Sequence, residues 1–98
     1  MKAQTKEIEK IKNKILPILQ RYDVVRSAIF GSFARGENTE GSDIDILVEF
    51  GGEKSLLDLA GLKIALEESL KIKVDVLTYN SLHPLLRERI LREQRVIL

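Results

Sequence analysis

Gly31 and Ser32, a gap of ten residues, then Asp43-Ile44-Asp45 are the residues whose types and spacing could do chemistry. Gly31-Ser32 closes the apolar run VVRSAIF. A glycine there lets the backbone approach a ligand closely. Backbone N–H groups of such a turn, with the serine hydroxyl, can donate to a phosphate. Asp43 and Asp45 stand two apart in an alternating run, so they share one face of a strand, roughly 7 Å apart along the backbone. Carboxylates suit strands poorly and repel at short range. A hard divalent cation offsets that cost, since Mg²⁺ takes one or two carboxylates together with phosphate oxygens. Asp75, between Val74 and Val76, has the same phase in another alternating run. If the two strands are neighbours, three carboxylates emerge on one face beside a phosphate turn, which suits two-metal phosphoryl transfer. Each feature alone has a plainer explanation. Gly-Ser pairs are ordinary turns, a D-x-D pair can be solvent-facing, and Asp75 can be a strand-end residue with a local partner.

The elements that must position these residues follow from periodicity. Thr5 to Tyr22 predicts a helix, with Ile8, Ile11, Ile15, Ile18, Leu19 and Tyr22 on one stripe and Thr5 as its N-cap. Pro17 lies inside it and should kink or split it. Val24–Phe30 predicts a strand, Phe33–Arg35 one helical turn stopped by Gly36, and Glu37–Ser42 a polar loop. Asp43–Phe50 predicts a strand with Ile44, Ile46, Val48 and Phe50 on one face and Asp43, Asp45, Leu47 and Glu49 on the other. Ser55 and Asp58 cap a helix to Leu70, with Leu59, Leu62, Leu66 and Leu70 as its stripe. Ile72–Thr78 predicts a third strand, Pro84 opens a last helix to about Glu93, and the final four residues suit an edge strand. Strands separated by helices define an α/β sheet with helices packed on it. The second and third strands, joined through a helix, should be parallel; the direction of the first pair is open.

Composition narrows the function classes. The chain has 98 residues and a formal charge of +1, from 16 Lys and Arg against 15 Asp and Glu. That balance favours neither a nucleic-acid binder nor an acidic tail. Leu, Ile and Val number 15, 11 and 6, enough for one core, and residues 1–98 are expected to form a single domain. With no Cys and one His, thiol chemistry and Cys- or His-rich metal sites are excluded. No apolar run reaches a membrane span, and the charged start has no apolar signal core, so a cytoplasmic location is expected.

The stretch FGSFARGENTEGSDIDILVEF resembles the signature of the DNA polymerase β-like nucleotidyltransferases, and more narrowly the minimal nucleotidyltransferases. The likeness extends through SLLDLAGLKIALEESLKIKVDVLT and LLRERIL, nearly the whole chain. It implies a palm-type α/β fold, a small mixed sheet with packed helices. It implies that Gly31 and Ser32 hold the terminal phosphates of ATP. It further implies that Asp43, Asp45 and Asp75 are catalytic and bind two Mg²⁺ ions, with Asp75 helping to deprotonate the acceptor hydroxyl. Arg35 and Ser42 lie within the motif as further nucleotide-binding candidates. A salt bridge for Arg35 and a local turn hydrogen bond for Ser42 are the plainer alternatives. Larger members carry an acceptor-holding second domain; only the catalytic core is recognised in these residues, so the acceptor is expected to come with another chain. In the resembling family that chain is a HEPN-domain toxin, neutralised by AMP transfer to a tyrosine. A binding module that acts by occlusion alone, and nucleotidyl transfer to a small molecule, are the competing readings; a homodimer stays open.

Several smaller features have ordinary explanations. Arg87, Arg89, Arg92 and Arg95 suit a solvated helix face with favourable C-terminal charge. His83 suits a helix cap. Tyr22 and Tyr79 could stack on a base, although partial burial is commoner. Lys2, Lys6, Lys10, Lys12 and Lys14 form the wet side of the first helix. Leu56, Leu57 and Leu82 are candidates for an exposed apolar patch.

Overall fold

A computed structural model describes residues 2–98, with side chains from position 6 onward. The leading amphipathic pattern folds as one helix, α1 (Lys2–Arg21). It starts three residues before Thr5, so Thr5 is not its N-cap, and the side chains of Thr5 and Lys2 lie outside the described residues. Pro17 does not split it. Pro17 faces solvent, while Ile15, Ile18 and Leu19 on either side of it are buried and anchor both halves to the sheet. That burial outweighs the one backbone donor that proline removes.

Asp23, at φ 63, turns the chain into β1 (Val24–Phe30). The one-turn helix α2 (Gly31–Arg35) follows directly and is stopped by the left-handed Gly36. β2 spans Ile44–Phe50. Asp43, expected inside this strand, therefore sits one residue before it and is exposed. α3 (Leu56–Leu70) has the expected capping box: Ser55 Oγ accepts from the Asp58 N–H and the Asp58 carboxylate accepts from the Ser55 N–H. Burial cannot explain that cap; the reciprocal hydrogen bonds do, and they hold Asp58 below the usual carboxylate range.

β3 (Val74–Thr78) starts two residues later than the alternation suggests. Lys71 is left-handed at φ 60, and extended pairing resumes only after that turn. A 3-10 turn (Tyr79–Ser81) leads to α4 (Pro84–Glu93), whose N-cap His83 accepts the Leu85 N–H on Nδ1. The chain closes with the two-residue β4 (Arg95–Val96).

The sheet order is β3-β2-β1-β4. β1 is antiparallel to both β2 and β4, and β2 is parallel to β3. One face carries Ile44, Ile46, Val48, Ile29 and Val74 and packs against α1, α3 and Phe33 of α2. The opposite face carries Phe30 and Leu47, covered by Tyr79, Leu82, Ile90 and Leu91. Leu82 is thus a core residue, not part of an exposed patch, whereas Leu56 and Leu57 are exposed as expected. Ser27 is fully buried at the centre of the sheet. Its Oγ donates to the Leu47 carbonyl at 2.8 Å, and its backbone bonds the C-terminal residues Ile97 and Leu98.

Candidate active site

The acidic site forms where three local features meet at one end of the sheet. Phe30, the last residue of β1, is the register partner of Asp45 in β2. Asp45 is in turn the register partner of Asp75 in β3. Opposed residues in neighbouring strands point to the same face, so both carboxylates emerge together. β3 is held in place at its start by Glu67 of α3, whose carboxylate accepts the Val74 N–H at 3.0 Å.

Asp45 is half-buried beside its register partner Asp75. Its carboxyl is pushed up from the ordinary 3.8 to about 6. Burial is the first cause; the Asp75 charge and hydrogen bond come next, then the Asp43 charge, while Arg35 pulls the other way. Among the described residues, no three acidic, histidine or cysteine side chains already stand close enough to chelate an ion. Asp45 and Asp75 are register partners, and Asp43 stands one residue before the strand.

Gly31 follows Phe30 at φ +73, and a Cβ there would run into the Asp45 carboxylate. The residue must be glycine on both counts: the left-handed backbone and the packed acid. The α2 turn therefore begins against the acids, with the half-buried Ser32 as its second residue. This donor set suits an Mg²⁺-like ion. It is all oxygen, it packs like charges that a cation would relieve, and the glycine leaves the loop backbone beside them.

The other candidates take structural positions. The Arg35 guanidinium pairs with Glu37 at 3.0 Å and Glu93 at 3.6 Å, tying α2 to the end of α4. Ser42 Oγ accepts the Thr39 N–H at 2.8 Å, and the Ser42 N–H returns to the Thr39 carbonyl at 3.0 Å, closing the turn before the strand. Tyr79 is buried, with the Arg26 guanidinium 3.8 Å from its ring centroid, so that face of the ring is already covered. Tyr22 packs against the core and lies close to Gly61. Arg89 and Arg92 make helical ion pairs with Glu93 and Glu88, as a solvated face does. Arg87 differs, donating to the Tyr79 carbonyl at 2.7 Å. The grouping of Arg26, Tyr79 and Arg87 was missed by pattern reading. The only trace of it in the sequence is that Arg26 shares the phase of Ala28 and Phe30.

The geometry agrees with comparison to known proteins. A nucleotidyltransferase-domain family model matches residues 8–97, and the chain belongs to that family. It is 65% identical over 86 residues to MJ0435 of Methanocaldococcus jannaschii, provisionally named a protein adenylyltransferase; the match covers 88% of this chain and 92% of that one. A solved structure, provisionally described as a minimal nucleotidyltransferase, is 43% identical with a TM-score of 0.79 over 91% of each chain. A solved MntA toxin–antitoxin structure is 25% identical with a TM-score of 0.72, covering 87% of this chain and 69% of that one. This chain is thus a minimal nucleotidyltransferase with a mixed sheet of the polymerase β-like type. No helix among the described residues is long and apolar enough to cross a membrane.

Proposed function

We propose that the chain transfers AMP from ATP to a tyrosine hydroxyl of a HEPN-domain toxin and so acts as its antitoxin. The observation that carries this reading is the Asp45–Asp75 register pair packed against the Gly31 turn. The relative named as a protein adenylyltransferase and the MntA toxin–antitoxin fold support the choice of reaction and partner.

In this reading Gly31 and Ser32 hold the terminal phosphates through the backbone and hydroxyl at the start of α2. Asp43 and Asp45 would hold Mg²⁺ on the triphosphate, and Asp75 would share the ion nearest the acceptor. Bound there, the metal supplies charge neutralisation and lowers the pKa of the acceptor hydroxyl. Asp75 is exposed at the edge strand, so an incoming hydroxyl reaches it without any rearrangement of the core. It takes the hydroxyl proton as the new oxygen–phosphorus bond forms; the bond to the β-phosphate breaks and pyrophosphate leaves. Arg35 and Ser42 act by position: Arg35 fixes α2 against α4 and tempers the Asp45 charge, and Ser42 sets the entry to β2.

The test combines the chain, Mg²⁺, α-labelled ATP and a HEPN-domain chain encoded beside it. Label should appear on the partner and fall by at least about a hundredfold in Asp43→Asn/Asp45→Asn. Equal labelling by that variant would sink the mechanism. A stable complex with no label would favour occlusion instead.

A further inference from the structure

At the far end of β2 from the acids, the sheet closes on a cavity of about 360 Å³ lined by Arg26, Glu49, Thr78, Tyr79, Asn80 and Arg87. Its two cations come from different elements and are held in place by one residue. Arg26 of β1 lies over the Tyr79 ring at 3.8 Å, and Arg87 of α4 donates to the Tyr79 carbonyl at 2.7 Å. Glu49 is the single carboxylate in the lining; it pairs with Arg26 at 3.4 Å, with both side chains about half exposed. No carboxylate pairs with Arg87 among the described residues. The cavity therefore carries an excess positive charge on pre-oriented guanidinium groups, the chemistry that recognises a carboxylate or phosphate.

Its position relates it to the acids. Arg26 and Glu49 are register partners, as Phe30 and Asp45 are, and all four lie in one phase of the β1–β2 ladder. Asp45 and Glu49 stand four positions apart in β2, roughly 13 Å. Along the neighbouring edge strand, Asp75, Leu77 and, past its end, Asn80 are all exposed. Exposed residues of the edge strand thus lie between the acidic end and the basic end, a span of about four extended residues.

We propose that this cavity binds a carboxylate of the acceptor polypeptide, an acidic residue about four positions from the modified hydroxyl, and so sets which hydroxyl reaches Asp75. The proposal rests on the protein-acceptor reading above. It makes Arg26 and Arg87 specificity-determining residues that take no part in the chemistry. A neutral acceptor loses one charge-assisted contact, not the reaction.

Two measurements test it. The first needs no activity: side-chain Nε resonances of Arg26 and Arg87 are followed by NMR during titration with acetylated tetraglutamate amide. Saturable shifts, absent with the tetraglutamine counterpart, are expected, and in Arg26→Gln the remaining Arg87 resonance should no longer saturate. No shift, or equal shifts with both peptides, overturns the proposal whether or not the chain transfers AMP. Stronger saturation by an oligouridylate overturns it in favour of RNA. The second compares tyrosine peptides bearing Glu or Gln four positions to either side. A KM lower by about tenfold for one Glu peptide is expected, with kcat unchanged and the preference lost in the arginine variant. Peptide binding without any transfer, from peptide or partner, would count against the adenylyl-transfer reading and leave the carboxylate site standing.

Discussion

Asp45 and Asp75 face each other across the parallel β2–β3 ladder, and burial together with the neighbouring Asp75 carboxylate lifts the Asp45 carboxyl to about 6. The folded chain thus binds this proton more tightly than the unfolded chain does. Stability contributed by the proton is complete below pH 3.8 and is lost as pH rises through about 6.

In metal-free protein, Asp45→Asn should therefore stabilise the fold at pH 7.5. Screening at this half-exposed site reduces the gain to about 1 kcal/mol. The gain should vanish near pH 3.5. Urea melts at both pH values check this; an equal difference at the two would show that the carboxylate charge is not the cause. Mg²⁺ should raise the midpoint of the unmodified chain more than that of the variant.

Arg35 is the cation that pulls the Asp45 carboxyl down, and removing it removes that opposition. Arg35→Gln should shift the pH midpoint of the stability profile upward. A downward shift would contradict the assigned electrostatics. The profile is read from urea midpoints across pH 4–8 in metal-free protein.

Gly31→Ala should be far worse than Gly41→Ala. Both glycines have positive φ, +73 and +94, so both substitutions incur backbone strain of about 1–2 kcal/mol. Only at Gly31 does the new Cβ meet the Asp45 carboxylate; at Gly41 nothing lies within 4 Å. Gly31→Ala should lose transfer activity as well as stability, whereas Gly41→Ala should keep most of its activity. Melts and label transfer measured on both variants make the comparison.

Ser27→Ala should cost about 1–3 kcal/mol, because the Leu47 carbonyl loses a buried donor. The loss should appear in Tm, and amide exchange should quicken at Ile97 and Leu98, which bond the same residue's backbone. An unchanged melting temperature would mean that the sheet relaxes around the site.

Much of this was legible in one dimension. The period-two pattern of DIDILVEF placed Asp45, Leu47 and Glu49 on one face through covalent geometry alone, and β2 keeps that alternation. Ser55 with Asp58 and His83 with Pro84 marked helix starts by hydrogen bonds closed within four residues. Where the reading failed, a distant contact overrode a local signal. Pro17 stays helical because buried isoleucines flank it on the core side, and Leu82 is buried because α4 folds back over Leu47.

The sequence by itself determined the acids, the phase of Asp45 and Asp75 and the glycine beside them, since those follow from residue type and from a strand's fixed alternation. Only the tertiary structure decided that Asp45 meets Asp75 rather than another residue, that β1 runs antiparallel to β2, and that Arg26, Tyr79 and Arg87 share a cavity. Asp45 and Asp75 are 30 positions apart and Arg26 lies more than 50 from Tyr79 and Arg87, while the β1–β2 pairing sets strand direction across a loop. Such contacts are selected by the burial of both sheet faces at once, which no local window of sequence contains.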